Sequence, residues 1–354
     1  MPLDTIYVTR HGHRLNWTID LATGTYHATY PTPTGIPVDP TLTGPGIKQS
    51  HELAAHINTP EFSPKPCRVY CSPFYRCLQT IQPTVEALQE RQSVEKKGDV
   101  DLDVRIENGI GEWFGSSRTF THPSPATPST LQSHFPTILR NPDTTSSEPP
   151  YKPHLIPSPH GETISELHDR LATTLSAIIA SVDAEITTYE AAHPETANQS
   201  RALLICTHAA PLIALGRVLT GDMPEDSSME DFRPFVASLS TFVRREKKEK
   251  KSAGQGVDDG VVVDGAARFI GGCEVPVWKG GRGVGGGWDC VANGDCSFLT
   301  SGEERGWHFH GEEDFNSMPD PPVAPSTPKG QQQQQPSSSV VDEVSLSQSS
   351  PAKL

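Results

Sequence analysis

The chain has 354 residues and a formal net charge of −14 at pH 7, which excludes a globally basic nucleic-acid binder; any cationic site must be gathered locally. Hydrophobic residues make up 34% and aromatics 7%, beside 33 prolines and 29 glycines, as expected for a packed domain diluted by segments that cannot pack. The seven cysteines are odd in number, and Cys67, Cys71 and Cys77 lack the intervals of a zinc site, so free thiols in a reducing compartment are expected.

The N-terminal segment carries Asp4 and no long apolar run, so it does not read as a signal peptide, and no stretch is apolar enough to span a membrane. DTIYVTR alternates like a strand and stops before Gly12. Residues 18–40 read as a loop. LTGPGIKQSHELAAHI (42–57) predicts a helix with Thr43 as its N-cap. CRVYCSP (67–73) is a second strand ended by Ser72-Pro73, and residues 74–90 form a helix kinked or divided at Pro83. VDLDVRI holds a third short strand, followed by ENGIGEWFG. The Pro-, Ser- and Thr-rich residues 116–159 read as one long loop.

From HGETISEL onward comes the clearest helix. Thr163 and Glu166 have capping-box spacing, and Leu167, Leu171, Leu175, Ile178 and Ile179 form one apolar stripe. RALLICTH is a buried strand followed by the helix APLIALGRVLTG. Strand and helix alternate, which is an α/β pattern with a mostly parallel sheet. The organisation reads as a core over 1–245, a flexible Gly-rich insertion over 246–286, a returning hairpin over 287–315 with Asn293-Gly294 in its turn, and a disordered tail over 316–354. RREKKEKK (244–251) is a solvated linker, a nuclear-import signal or an anion patch.

Three groups fall just after strand ends: Arg10-His11-Gly12-His13-Arg14, Arg76 behind CSP, and His208 behind RALLICT. In an open parallel sheet the carboxyl ends of the strands share one crevice, and helices that start there aim free N–H groups into it. Arginines and helix N-termini together bind phosphate, and a neutral imidazole among them can attack phosphorus. His13, His51, His56, His122, His134, His154, His168 and His193 read as exposed polar residues, and His160 as lining the cleft rim. His308 and His310 share a strand face without a third metal ligand.

TRHG, LTGPGIKQS, SPFYRCLQT and THAAP, in this order and spacing, resemble the histidine phosphatase superfamily, the phosphoglycerate-mutase-like branch. The resemblance implies a three-layer αβα sandwich and a phosphate monoester hydrolase acting through phosphohistidine. By position, His11 matches the nucleophile; Arg10, Arg14, Arg76 and His208 match the phosphate pocket. Glu112 matches the acid that protonates the leaving oxygen, with Glu107 nearby as the competing carboxylate. HGET (160–163) matches a helix start of the family. Mutases carry R-H-G-E-S where this chain has RHGHR, which disfavours a mutase, and the late histidine precedes Ala209 where glycine is usual. NGDCSFL and GEERGW resemble fungal members, among them a phosphatase-like subunit of an RNA polymerase III initiation factor, so a weakly active or inactive scaffold in a nuclear transcription assembly is the alternative. The implied ligand is a phosphorylated substrate or free phosphate, with no cofactor, metal, membrane or direct nucleic-acid contact. Protein partners would engage the insertion and tail, in the cytoplasm or nucleus.

Overall fold

Six strands build the central sheet of the computed structural model, which describes residues 2–21, 23–95, 101–140, 151–246, 267–311 and 313. The elements, in chain order, are β1 (Thr5–Arg10), β2 (Trp17–Asp20), β3 (Thr25–Ala28), α1 (Gly44–Asn58), β4 (Pro66–Cys71), α2 (Tyr75–Glu95), β5 (Arg105–Ile106), α3 (Pro128–His134), α4 (Ile164–Ala192), β6 (Ala202–Thr207), α5 (Ala209–Thr220), β7 (Leu239–Arg244), β8 (Phe269–Ile270), β9 (Cys273–Glu274) and β10 (Trp288–Asp295). The sheet order is β10-β7-β1-β6-β4-β5. β1, β6, β4 and β5 pair in parallel, and β7 and β10 add antiparallel at one edge.

The period of two along β1 and β6 sends alternate side chains to opposite faces. Ile6, Val8, Leu203 and Ile205 pack with α4 and α5, whereas Tyr7, Leu204 and Cys206 pack with α1 and α2. These are the three layers that an α/β sandwich requires. In α4 the capping box is complete: Glu166 N–H donates to Thr163 Oγ1 at 3.2 Å, and Thr163 N–H to Glu166 Oε2 at 2.8 Å. The Leu167-to-Ile179 stripe behind it is fully buried. Among the described residues, no helix is long and apolar enough to cross a membrane.

Several expectations need correction. The 18–40 segment is not a bare loop: its first part forms the antiparallel β2–β3 pair. Within 116–159, α3 is capped by Thr127, because a short Thr-Pro helix start is masked by the Pro-rich composition around it. α2 continues undivided through Pro83. Of VDLDVRI only Arg105–Ile106 pairs as strand. The Asn293-Gly294 pair is no hairpin turn. β10 pairs with β7 instead, and Gly294 at φ +67° sits in an irregular stretch of that pairing. His122 and His168, expected exposed, are buried. His122 Nε2 donates to Gly115 O, and His168 Nδ1 donates to Ile164 O.

The 246–286 insertion is corrected in part. Residues 247–266 and 314–354, and with them the expected tail, lie outside the described residues. Residues 267–286 instead carry the β8–β9 pair and plug Val275, Trp278 and Val284 into the α4–α5 core. Trp278 is 1% exposed and stacks at 8° on the His168 ring. Glycine content hid this, since the core contacts come from isolated apolar residues between the glycines. Arg244 and Arg245, at the start of the RREKKEKK run, are tied to Asp183 and Asp289. Trp278→Ala should therefore lower unfolding stability by about 3–5 kcal/mol in urea titration. A change within about 0.5 kcal/mol, the range of a surface substitution, would contradict this packing.

Candidate active site

His11 follows β1, Arg76 lies in the first turn of α2 after β4, and His208 is the N-cap of α5 after β6. Three adjacent parallel strands thus deliver the three groups to one end of the sheet. His11 is 2% exposed, and Arg76 and His208 are fully buried. α5 has no side-chain cap, so its first-turn amide N–H groups stay available beside His208.

The His11 ring is oriented by its own loop. Nδ1 lies 2.8 Å from Gly12 O, and a carbonyl only accepts, so Nδ1 carries the proton and Nε2 keeps its lone pair. The loop is held by residues outside the reacting set. Gly12 N–H donates to Thr80 Oγ1 at 2.9 Å, and His13 N–H donates to Gln49 Oε1 at 2.9 Å. Thr43 N–H donates to His13 O at 2.9 Å while Thr43 caps α1. A Cβ on Gly46 would stand 2.0 Å from His13 O, and one on Gly12 would stand 2.9 Å from Gly46 O. Only two glycines let α1 and the histidine loop approach this closely.

Arg76 is the hub. Its Nη1 donates to Val38 O at 2.8 Å and lies 3.5 Å from Asp39 Oδ1; its Nη2 donates to Glu112 Oε2 at 3.0 Å. Glu112 Oε2 also lies 3.2 Å from His208 Nδ1, and His208 Nε2 is 2.7 Å from the buried Ser72 hydroxyl. The His11 and His208 rings stand 5.3 Å apart at 66°. All six sequence-derived residues surround this point: Arg10, His11, Arg14, Arg76, Glu112 and His208. Glu107 does not join them. It is fully buried and accepts from Gly109 N–H, Tyr151 O–H and His154 N–H, so it braces the loop before Glu112.

Sequence reading missed Asp39, Ser72, Gln49 and Thr80. Gln49 and Thr80 stand inside the motifs LTGPGIKQS and SPFYRCLQT, so their positions were visible while their bracing roles were not. Asp39 lies in a Pro-rich loop and gave no signal. Of the residues with no assigned role, His13 is half-buried with Nδ1 2.7 Å from Thr43 Oγ1.

Charge is the dominant property. Burial and the Arg76, His208, Arg10 and Arg14 charges hold the His11 pKa well below its usual 6.5. Burial, with Arg76 and Arg305 adding repulsion, brings Arg10 down to about 10, and burial with Arg76 and Arg10 brings Arg14 down to about 9. Burial alone would raise Glu112, but His208, Arg76 and Arg14 outweigh it and hold the carboxyl below its usual range. The buried Nε atoms of Arg10, Arg14 and Arg76 have no hydrogen-bond partner among the described residues. The unpartnered buried donors of three converging guanidiniums suit an anion. His11, Glu112 and His208 bring ligand-type atoms within 4.8 Å of one another. The surrounding guanidiniums repel a divalent cation there and favour phosphate.

A His11 kept neutral means that the folded chain binds fewer protons than the unfolded one. Its stability contribution is complete above about pH 6.5 and is lost as pH falls below that value. His11→Asn should flatten the pH dependence of urea unfolding between about pH 6.5 and 5, by up to about 1.4 kcal/mol per pH unit. Identical slopes in the two proteins would contradict the neutral ring.

The sequence pattern of the histidine phosphatase superfamily (branch 1) matches residues 6–253. The transcription factor tau 55 kDa subunit of Saccharomyces cerevisiae is 30% identical over 310 residues, covering 87% of this chain and 59% of that protein. The chain therefore spans less than two thirds of that relative's length. The ecdysone phosphate phosphatase from Bombix mori, solved with tungstate, is 19% identical, covers 72% of this chain and 98% of its own, and gives a TM-score of 0.42. A mycobacterial glucosyl-3-phosphoglycerate phosphatase is 16% identical, with coverage of 68% and 91% and a TM-score of 0.38. With the family pattern spanning most of its length, the chain belongs to branch 1 of the histidine phosphatase superfamily.

Proposed function

We propose that the chain hydrolyses phosphate monoesters through a phosphohistidine intermediate without a metal ion. The observation that carries this reading is the His11 ring, whose Nδ1–H is committed to Gly12 O while guanidiniums surround it. In the first step Nε2 attacks phosphorus; the N–P bond forms as the P–O bond to the leaving oxygen breaks. Arg10, Arg14, Arg76 and His208 neutralise the equatorial oxygens. Glu112 protonates the leaving alkoxide. In the second step Glu112, now a carboxylate, takes a proton from water, the water oxygen displaces His11 from phosphorus, and phosphate is released.

Glu112 is ionised in the empty site, so its proton must come with the substrate. A phosphate monoanion, whose second pKa is about 6, brings one proton and also cancels the cations that depress Glu112. Substrate and Glu112 then share one proton between them. Activity should fall as pH rises above about 6, when that proton is lost. The acid limb should lie well below 6.5, because His11 resists protonation.

His11→Ala should lower turnover of p-nitrophenyl phosphate by about four orders of magnitude. Glu112→Gln should cost about 10²- to 10⁴-fold with an alkyl phosphate and less with the nitrophenyl ester, whose leaving group needs little protonation. Steady-state kinetics with and without EDTA checks all three points, and loss of activity on chelation would contradict the metal-free mechanism.

Similarity to the tau 55 kDa subunit favours a second reading, in which the domain is a subunit of a nuclear transcription assembly and its pocket binds phosphate without turnover. Stable co-purification with large partners, at negligible hydrolysis by the isolated chain, is the outcome that selects this reading over the first.

A further inference from the structure

At the end of the sheet where the parallel strands begin, opposite the catalytic pocket, a second cleft of about 360 Å³ opens to solvent. The starts of β4 and β6 and the C-terminal turns of α4 line it. Val182 and Ile186, both buried, supply its apolar lining, with the Tyr189 ring beside them. Arg68, Glu185 and Arg201 supply its charge. Glu185 is fully engaged: its carboxylate accepts from Arg68 Nε at 2.7 Å and from Arg105 Nη1 and Nη2 at 2.6 and 3.0 Å.

Arg201 is different. Its guanidinium lies over the Tyr189 ring, with Cζ 5.5 Å from the centroid. Its Nε and Nη2 are closed off from water and have no hydrogen-bond partner among the described residues. Asp4, beside the Arg201 backbone, is committed elsewhere: its Oδ2 accepts from Ser200 Oγ at 2.7 Å and from the Arg201 N–H at 3.2 Å. Nε and Nη2 form the edge of a guanidinium that grips a carboxylate through two parallel N–H bonds. The same chain shows such a grip at Arg217, whose Nε and Nη2 donate to Asp231 Oδ2 and Oδ1 at 2.7 and 3.0 Å. Arg201 carries the same edge without the acid. Unpaired buried donors cost stability, and one carboxylate would satisfy both.

We propose that this cleft docks an acidic side chain of a partner protein, a glutamate or aspartate next to an apolar residue. The carboxylate draws the Arg201 guanidinium off the Tyr189 face and meets its Nε–Nη2 edge. The apolar neighbour packs on Val182, Ile186 and the freed ring. A partner fits better than a free small acid. One bidentate contact is too weak to hold a dissolved acid against its lost translational freedom, whereas an arginine anchor inside a larger interface is among the strongest contacts. The cleft and the catalytic pocket lie at opposite ends of the same strands, so the partner leaves the approach to His11 open. The inference goes beyond both readings of that pocket and rests on neither.

The experiment titrates the full chain by calorimetry with short acetylated, amidated peptides, each carrying one glutamate or aspartate with leucine on one side or the other. Their glutamine and asparagine counterparts and sodium propionate are the comparisons. The best acidic peptide should bind about 10-fold more tightly than its amide counterpart. Arg201→Gln should abolish that preference, and Arg201→Lys should keep part of it. Both variants should bind inorganic phosphate as the unmodified chain does, because the catalytic pocket lies at the other end of the strands. Loss of phosphate binding together with the preference would mark a structural role and overturn the site. Equal binding of acidic and amide peptides, no binding of any, or a preference that survives Arg201→Gln would overturn it as well. Propionate bound as tightly as the best peptide would assign the cleft to a free acid and overturn the partner.

Discussion

Everything at the carboxyl end of this sheet follows from burying guanidinium groups around an imidazole without enough carboxylate to match them. Taking each ion out of water costs several kcal/mol unless a partner restores the lost solvation. Arg76 finds Asp39 and Glu112, yet the Nε atoms of all three pocket arginines remain without acceptors among the described residues. A bound anion would supply the missing acceptors and offset the remaining charge. The same cations keep His11 neutral, so in the proposed mechanism its Nε2 needs no separate general base.

The surrounding fold serves to hold that arrangement still. Three parallel strands end side by side, and the residues that follow them are fixed by side chains outside the cluster of imidazoles, guanidiniums and Glu112. Thr80 and Gln49 hold the histidine loop, Gln79 Oε1 accepts from the Leu42 amide and the Thr41 hydroxyl, and Ser72 meets the far nitrogen of His208. Gly12 and Gly46 permit the backbone contact that brings α1 against the loop. Placing a site within a fraction of an ångström depends on this kind of support more than on the reacting groups themselves.

The reacting groups were legible in the sequence because their spacing relative to strand ends is short and fixed: TRH, CSPFYR and ICTH each put a cation or imidazole at the same edge. The parallel core was equally legible, since RALLICT and the α4 stripe carry uninterrupted periodicity. What the sequence hid has physical reasons. Asp39 acts through a loop whose conformation no local pattern encodes. Glu107 and Glu112 look alike as letters; only burial and hydrogen-bond partners separate a brace from a group at the site. Trp278 sits among glycines, where composition suggests flexibility although one large apolar side chain anchors the segment. β10 carries a turn dipeptide inside a strand, because pairing with β7 outweighs the local turn preference.

The central claim is that His11 Nε2 becomes the phosphorus-bound atom. Rapid-quench mixing of the full chain with p-nitrophenyl phosphate, followed by alkaline digestion and mass spectrometry, tests it most directly. The account predicts a phosphoryl group on His11 that survives base, is lost in acid, and forms as fast as the first turnover. Turnover with no phosphorylated His11 at any quench time, or with the phosphoryl group on another residue, would contradict it.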